Sequence, residues 1–223
     1  MTAPVSSPIS DPVSDGATDS LSIRQQRLQN TGKAILASAL DHFSRRGFEG
    51  ASLREIAADA GVQHGMIRHI YQTKEELWRR TIAFLFDRME REMPAELTDG
   101  EPRGLDGFKA FIRWYVGYCA RHPEHARLMV QQSILEGPGL AWTAEHYIGA
   151  GYRWYRPIIE RLQRQGSLPD VDPLTFSLML TAACQMPYLL SPEIRAVAGR
   201  DVHADAEIEA HAETVIQVFL RDG

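Results

Sequence analysis

The chain is poor in cysteine, in net basic charge and in long apolar runs, and each shortage removes a class of function. Cys119 and Cys184 are the two cysteines among 223 residues. They form no Cys-x-x-Cys pair, so buried free thiols are expected rather than a disulfide framework or a zinc ribbon. The most apolar stretch, from Phe176 to Leu190, is broken by Gln185 and Pro187 and is too short to span a bilayer. The opening residues, MTAPVSSPISDPVSDGATDS, hold neither a basic segment nor an apolar run. No secretory leader is expected there, and the Ser, Pro and Asp content predicts a disordered acidic tail over residues 1–22. Sustained period-2 alternation is missing, as are hairpin dipeptides of the Asn-Gly type, so strands are not expected. These absences predict a soluble, cytoplasmic, all-α protein.

Catalytic signatures are missing too. No P-loop, Gly-x-Ser-x-Gly or His-Glu-x-x-His occurs. Gly149-Ala-Gly151 has no strand before it and no third glycine, so it does not support nucleotide binding. His122-Pro-Glu-His125 has metal-like spacing, but no third ligand stands nearby and Pro123 suits a helix start. A surface histidine pair is the expectation. No catalytic residue, metal or cofactor is assigned.

The formal net charge of −5 excludes a uniformly basic coat for nucleic acid but leaves room for a local one. Residues 24–93 hold 12 Lys and Arg against 9 Asp and Glu, the one net-positive part of the chain, and an anionic partner is sought there. The same segment carries the clearest local structure. A helix over about 24–46 places Ile35, Leu36, Ala39, Leu40 and Phe43 on one face and ends at Gly47. Ser52-Leu-Arg-Glu55 reads as a capping box that opens a short helix with Leu53, Ile56 and Ala57 inward. Gly61 stops it, and a second short helix follows at about 63–70. Thr73-Lys-Glu-Glu76 is a second capping box, opening a long helix with Leu77, Phe84 and Leu85 on its apolar side, which fades at Met93-Pro94. Two short helices joined by a glycine turn and flanked by longer ones are the sequence form of a helix-turn-helix.

The second short helix has two chemically different faces. Val62, Ile67, Ile70 and Tyr71 are able to pack inward, leaving Gln63, His64 and Arg68 outward with Met66 at the boundary. Gln and Arg are residue types that read adenine and guanine edges, and Arg also grips phosphate. Gly65 lets backbone approach a duplex closely. Lys74, Ser52 and Arg54 lie at helix starts suited to phosphate. A solvated polar face is the plainer reading of any one of these features; their order along the chain is more specific.

The run LREIAADAGVQHGMIRHIYQTKEELW resembles the DNA-binding domain of TetR-type (TetR/AcrR) transcriptional regulators. The likeness covers residues 25 to 80 and rests on Ile56-Ala57, Ala60-Gly61-Val62, Gly65, Tyr71 and Lys74-Glu75. Beyond it, only helix count, length and order agree. The resemblance implies an all-helical homodimer with an N-terminal domain on a near-palindromic operator and a C-terminal domain for a small-molecule inducer, most often as a repressor. It implies DNA contacts at Ser52, Arg54, Gln63, His64, Met66, Arg68 and Lys74, to which Gly65 and His69 are added here. The chain departs from the family pattern at Gln63 (usually Ser or Thr), Arg68 (often Tyr) and Ile70 (His or Tyr). The first departure removes a side-chain cap, and the second gives Arg68-His69 the phosphate contacts usually made by Tyr and His.

Pro94 to Gly107 reads as a hinge. Further helices are expected at about 105–121, 123–136, 141–165, 172–190, 192–198 and 204–221, with a kink at Pro157. The resulting division is a tail over 1–22, a DNA-binding domain over 23–72, a connecting helix over 73–93 and a ligand-binding and dimerisation domain over 94–223. Aromatic and sulfur side chains are dense in the last part. Most suit a core, but a cavity for a mostly apolar inducer is expected among Phe108, Trp114, Tyr118, Met129, Ser133, Tyr152, Phe176 and Met179. Glu136, His146 and Gln185 are further polar candidates. Leu174, Leu178, Thr181, Gln185 and Leu189, with Ile208, Val215, Val218 and Phe219, suit a dimer seam along helices 172–190 and 204–221. Two alternatives stay open: a helical carrier or enzyme that has lost DNA binding, and a regulator that senses metal through its histidines.

Overall fold

The computed structural model describes residues 15–98, 104–135 and 139–221. All regular structure among them is helical. In the N-terminal part lie α1 (Asp15–Gly50), α2 (Leu53–Asp59), α3 (His64–Tyr71) and α4 (Lys74–Glu92). A single turn, α5 (Ala95–Thr98), precedes α6 (Gly104–Arg121), α7 (Pro123–Ile134) and α8 (Leu140–Thr143). A π-helical turn over Ala144–Ile148 leads into α9 (Gly149–Arg164), followed by α10 (Pro173–Leu189), α11 (Ser191–Ala198) and α12 (Asp205–Phe219). No single helix among the described residues is long and apolar enough to cross a membrane.

Helix α1 begins at Asp15, nine residues before Arg24 and inside the segment expected to be a tail. Residues 1–14 lie outside the described residues. Gly47 interrupts α1 with φ 71°, a left-handed conformation that a Cβ would oppose, so the chain turns where the sequence placed the helix end. The three prolines expected at helix starts all occupy first-turn positions, at α7, α10 and α11. There their missing N–H costs nothing. Asp172 caps α10 by accepting from Thr175 N at 2.8 Å. Helix α9 runs on through Pro157, and the irregularity of this stretch lies earlier, at the π-helical turn.

Two cores form. The first gathers Ile35, Ala39 and Phe43 of α1, Ile56 of α2, Ile67 and Tyr71 of α3, and Leu77, Trp78, Ile82 and Leu85 of α4. Each fully buried Ile, Leu or Phe among them contributes roughly 1.5–3 kcal/mol. Leu128 of α7 is buried in this core too, with Met129, Trp142 and Tyr147 packed against it. Packing therefore crosses the 93/94 boundary. Gly139 marks how close the approach is, because a Cβ there would stand 2.0 Å from the ring of the buried Trp78. The second core unites α6, α9, α10 and α12 around Phe108, Ile112, Val116, Ile158, Leu162, Phe176 and Val215. It also encloses Cys119 and Cys184, both free thiols. Burial pushes both thiols up, Cys184 to about 12, so neither is a thiolate at neutral pH.

Candidate nucleic-acid interface

Helix α2 ends in a hydrogen-bonded turn that only glycine satisfies cheaply. Gly61 N donates to Ala58 O at 3.0 Å and Val62 N to Ala57 O at 2.9 Å, with Gly61 at φ 67°. This pairing of the last carbonyls is the Schellman arrangement. It sets the angle at which α3 leaves α2.

Side chains lock α2 onto α1. His42 Nε2 and Asp59 Oδ2 are 2.6 Å apart, and Arg46 pairs with Glu55. The start of α2 brings a correction. Ser52 makes no side-chain cap, and the carboxylate of Glu55, read as the acid of a capping box, is held by Arg46 and lies 3.9 Å from His42. The second box does form at its first contact, with Glu76 N donating to Thr73 Oγ1 at 3.1 Å.

Helix α3 is divided cleanly. Ile67 and Tyr71 are buried and Val62 and Ile70 half-buried, while Gln63, His64, Gly65, Met66, Arg68 and His69 are all exposed. Gln63 occupies the N-cap without a side-chain bond. A Cβ added at Gly65 would meet nothing within 4 Å, so the protein's own packing does not require glycine there. The helix exits through Gln72, a non-glycine residue at φ 60° and ψ −57°. Thr73 N donates to Tyr71 O across it at 2.6 Å, closing a strained γ-turn. Tyr71 anchors that turn, with its ring in the core and its hydroxyl donating to Gly32 O of α1 at 3.3 Å.

Of the residues expected to face DNA, Arg54, Gln63, His64, Gly65, Met66, Arg68 and His69 are all exposed, and Ser52 is half-buried at the start of α2. Lys74 is different. Its Nζ donates to Glu49 O at 3.1 Å and sits 4.9 Å above the Phe48 ring. It therefore caps the C-terminal end of α1, and only its remaining ammonium hydrogens are left for another acceptor.

The inducer candidates do not converge on one space. Phe108 and Phe176 are in the second core. Tyr118 is buried beside α7, and Trp114, whose indole N–H donates to Glu92 O at 3.0 Å, contacts its ring. Met129 packs on the first core, Ser133 is exposed and donates to Met129 O, and Met179 is exposed on α10. Tyr152 is half-buried against Tyr155. Of the polar candidates, Gln185 donates to Tyr115 Oη at 2.6 Å, His146 bonds Trp142 O, and Glu136 lies outside the described residues. Helical spacing of aromatics does not distinguish core from pocket, which is why these residues scatter. A hollow of about 390 Å³ that the sequence did not signal lies between α11 and the loop before α12, lined by Ser191, Pro192, Arg195, Ala196 and His203.

His122 and His125 correct another expectation. His122 is paired with Glu92 at 2.9 Å, but His125 is buried rather than at the surface, bonded to Tyr118 Oη at 3.0 Å. Burial, with the nearby Arg88 charge, pushes His125 down to about 3. Glu124 would be raised by its burial, but hydrogen bonds from His122 and its own backbone, with Arg88 at 2.7 Å, bring it to about 2. These groups tie α4 to α6 and α7. No cluster of three or more metal-ligating side chains occurs among the described residues.

Over residues 35–81 the chain matches the model of bacterial regulatory proteins of the tetR family, and over 105–218 that of the tetracyclin repressor-like C-terminal domain. The second match alone covers more than half of the chain. The chain belongs to the TetR family. It is 25% identical over 197 residues to the HTH-type transcriptional regulator RutR of Escherichia coli (strain K12), covering 88% of this chain and 92% of the relative. It is 28% identical over 173 residues to the HTH-type transcriptional repressor NicS of Pseudomonas putida, covering 75% and 80%. Among solved structures, AibR in complex with isovaleryl coenzyme A and operator DNA superposes with TM-score 0.68 at 19% identity, covering 85% of this chain and 97% of that one. The hemolysin II transcriptional regulator HlyIIR gives 0.65 at 18%, covering 87% and 99%. These likenesses establish the TetR fold, and the family establishes a helix-turn-helix transcriptional regulator.

Proposed function

We propose that this TetR-family chain is a ligand-responsive repressor that grips a near-palindromic operator through α3 and releases it when a small, mostly apolar molecule enters the C-terminal bundle. The observation that carries the reading is the divided surface of α3. Its apolar side is consumed by the first core, while Gln63, His64, Met66, Arg68 and His69 surround a glycine whose missing side chain the fold does not need. Arg54 and Ser52 at the start of α2 extend this side, and Lys74, at the start of α4, supports it through its bond to the end of α1.

The functional division we infer is a DNA-binding part over 23–72, a connecting helix over 73–93 and a ligand-binding and dimerisation part over 94–223. Candidate inducer contacts are Phe108, Trp114, Tyr118, Met129, Ser133, Tyr152, Phe176 and Met179, of which Trp114 and Tyr118, beside the end of α4, are best placed to pass a change onward. Leu174 and Leu178 on α10 and Val218 on α12 are exposed apolar side chains that suit a seam with a second copy. Ligand acts through its different affinity for two spacings of the paired α3 helices. The reading needs no catalysis and no metal, and it places the protein in the cytoplasm with the chromosome.

Selection of duplexes from a random library, followed by gel shift, tests the reading. Enrichment of an inverted repeat bound by a dimer is the expected result; a folded dimer that retains no duplex would overturn it and favour a carrier.

A further inference from the structure

Helix α1 presents an exposed stretch ahead of its packed part. It runs from Asp15 to the break at Gly47, and from Gln26 on, where its side chains are described, the first fully buried one is Ile35. Gln26, Arg27, Leu28, Gln29 and Asn30 are all exposed. The match to the family's DNA-binding model begins only at residue 35, so these turns lie outside it. A helical stretch exposed in this way is marginal in water and gains from a partner that holds it.

Composition identifies the partner. From Ser20 to Leu40 there is no Asp or Glu, while the exposed Arg27 and Lys33 supply cations and the exposed Gln26, Gln29 and Asn30 supply carboxamides. Such a surface repels a second copy of itself and matches a phosphate backbone, for which cations and carboxamides are the usual donors. Position agrees with composition. The Tyr71 hydroxyl at the C-terminal end of α3 holds Gly32 O at 3.3 Å, so the overhang leaves the domain directly beside the recognition helix.

Resting on the reading of α3 as the recognition helix, we propose that the overhang of α1, residues 26–33, is a second DNA-binding element that grips the backbone flanking each half-site. The duplex it contacts lies outside the bases read by α3, so the operator footprint is wider than the helix-turn-helix alone requires.

The test uses the full-length protein and the duplex that the wild type selects from a random library, in salt titrations of Arg27→Ala/Lys33→Ala and of Arg68→Ala. The overhang variant should keep wild-type melting temperature and oligomeric state. Its affinity should fall roughly tenfold at moderate salt, and its salt slope should flatten by about 0.9 for each phosphate that the two cations no longer neutralise. Trimming the flanks of the duplex should weaken the wild type but not this variant. If Arg68→Ala loses binding while the overhang variant keeps wild-type affinity and slope, the overhang proposal is wrong and the reading of α3 stands. A changed oligomeric state with unchanged DNA affinity assigns the overhang to protein contacts and also overturns it. If the wild type selects no duplex, both readings fall.

Discussion

Gly65 separates what the fold needs from what the partner needs. Alanine there meets no atom within 4 Å and replaces glycine inside a helix, so Gly65→Ala should leave the melting temperature unchanged or raise stability by up to about 1 kcal/mol. Operator affinity should nonetheless fall, because the added methyl stands between backbone and duplex. A melt and a gel shift on one preparation check both halves, and a stable variant with wild-type affinity would show that the duplex does not approach Gly65. Among single residues the sequence was legible wherever a rule is local. Gln63 has no capping atom placed to serve α3, and the structure shows no cap. His125 escaped the sequence because Pro123 announces a helix but not the direction its side chains face. Lys74 was half legible: its position at a helix start was visible, but its bond to Glu49 O depends on where α1 ends.

Among the elements, the two candidate capping boxes make a controlled comparison. Thr73 accepts from Glu76 N, whereas Ser52 has no side-chain cap bond. Thr73→Ala should therefore cost about 1 kcal/mol in denaturant unfolding. Ser52→Ala should stay within about 0.5 kcal/mol, as for a surface position that makes no special contact. Equal losses would mean that Ser52 does cap α2. Sequence pattern alone could not tell the boxes apart, since Glu55 is claimed by Arg46 and His42, which lie on another helix. The order of helices, by contrast, followed from glycine stops, first-turn prolines and apolar periodicity, all of which act within a few residues. The early start of α1 at Asp15 carries no such signal, since Ser, Asp and Gly there favour turns as much as helix.

For the whole molecule, the seam between α4, α6 and α7 predicts acid sensitivity. His125 is held neutral at about 3, below its ordinary 6.5, so the unfolded chain binds a proton that the folded one refuses. Stability is therefore complete above 6.5 and declines as pH falls below it. Glu124, lowered from 4.5 to about 2, adds a further loss below 4.5, where the unfolded carboxylate protonates first. Melting temperature measured from pH 7.5 to 4.5 should show the first decline, and His125→Gln should flatten it. An unchanged profile in that variant would place the acid sensitivity elsewhere. This seam was invisible in the sequence. Leu128 joins the first core from 43 residues beyond Leu85, and aromatic spacing on α6 did not reveal which rings face α4, which face the second core and which remain for a ligand. The inducer candidates scatter for the same reason.

If the polar face of α3 is a DNA-reading surface, Arg68 is the residue whose removal should show it. Fluorescence anisotropy of the selected operator should be titrated with wild-type protein and Arg68→Ala at several salt concentrations. The variant should fold and associate as the wild type does, with affinity lower by about 1–3 kcal/mol. A base contact would show as relaxed sequence preference, and a phosphate contact as a flatter salt slope. Wild-type affinity, sequence preference and salt slope in a well-folded Arg68→Ala would refute a DNA-reading role for this face.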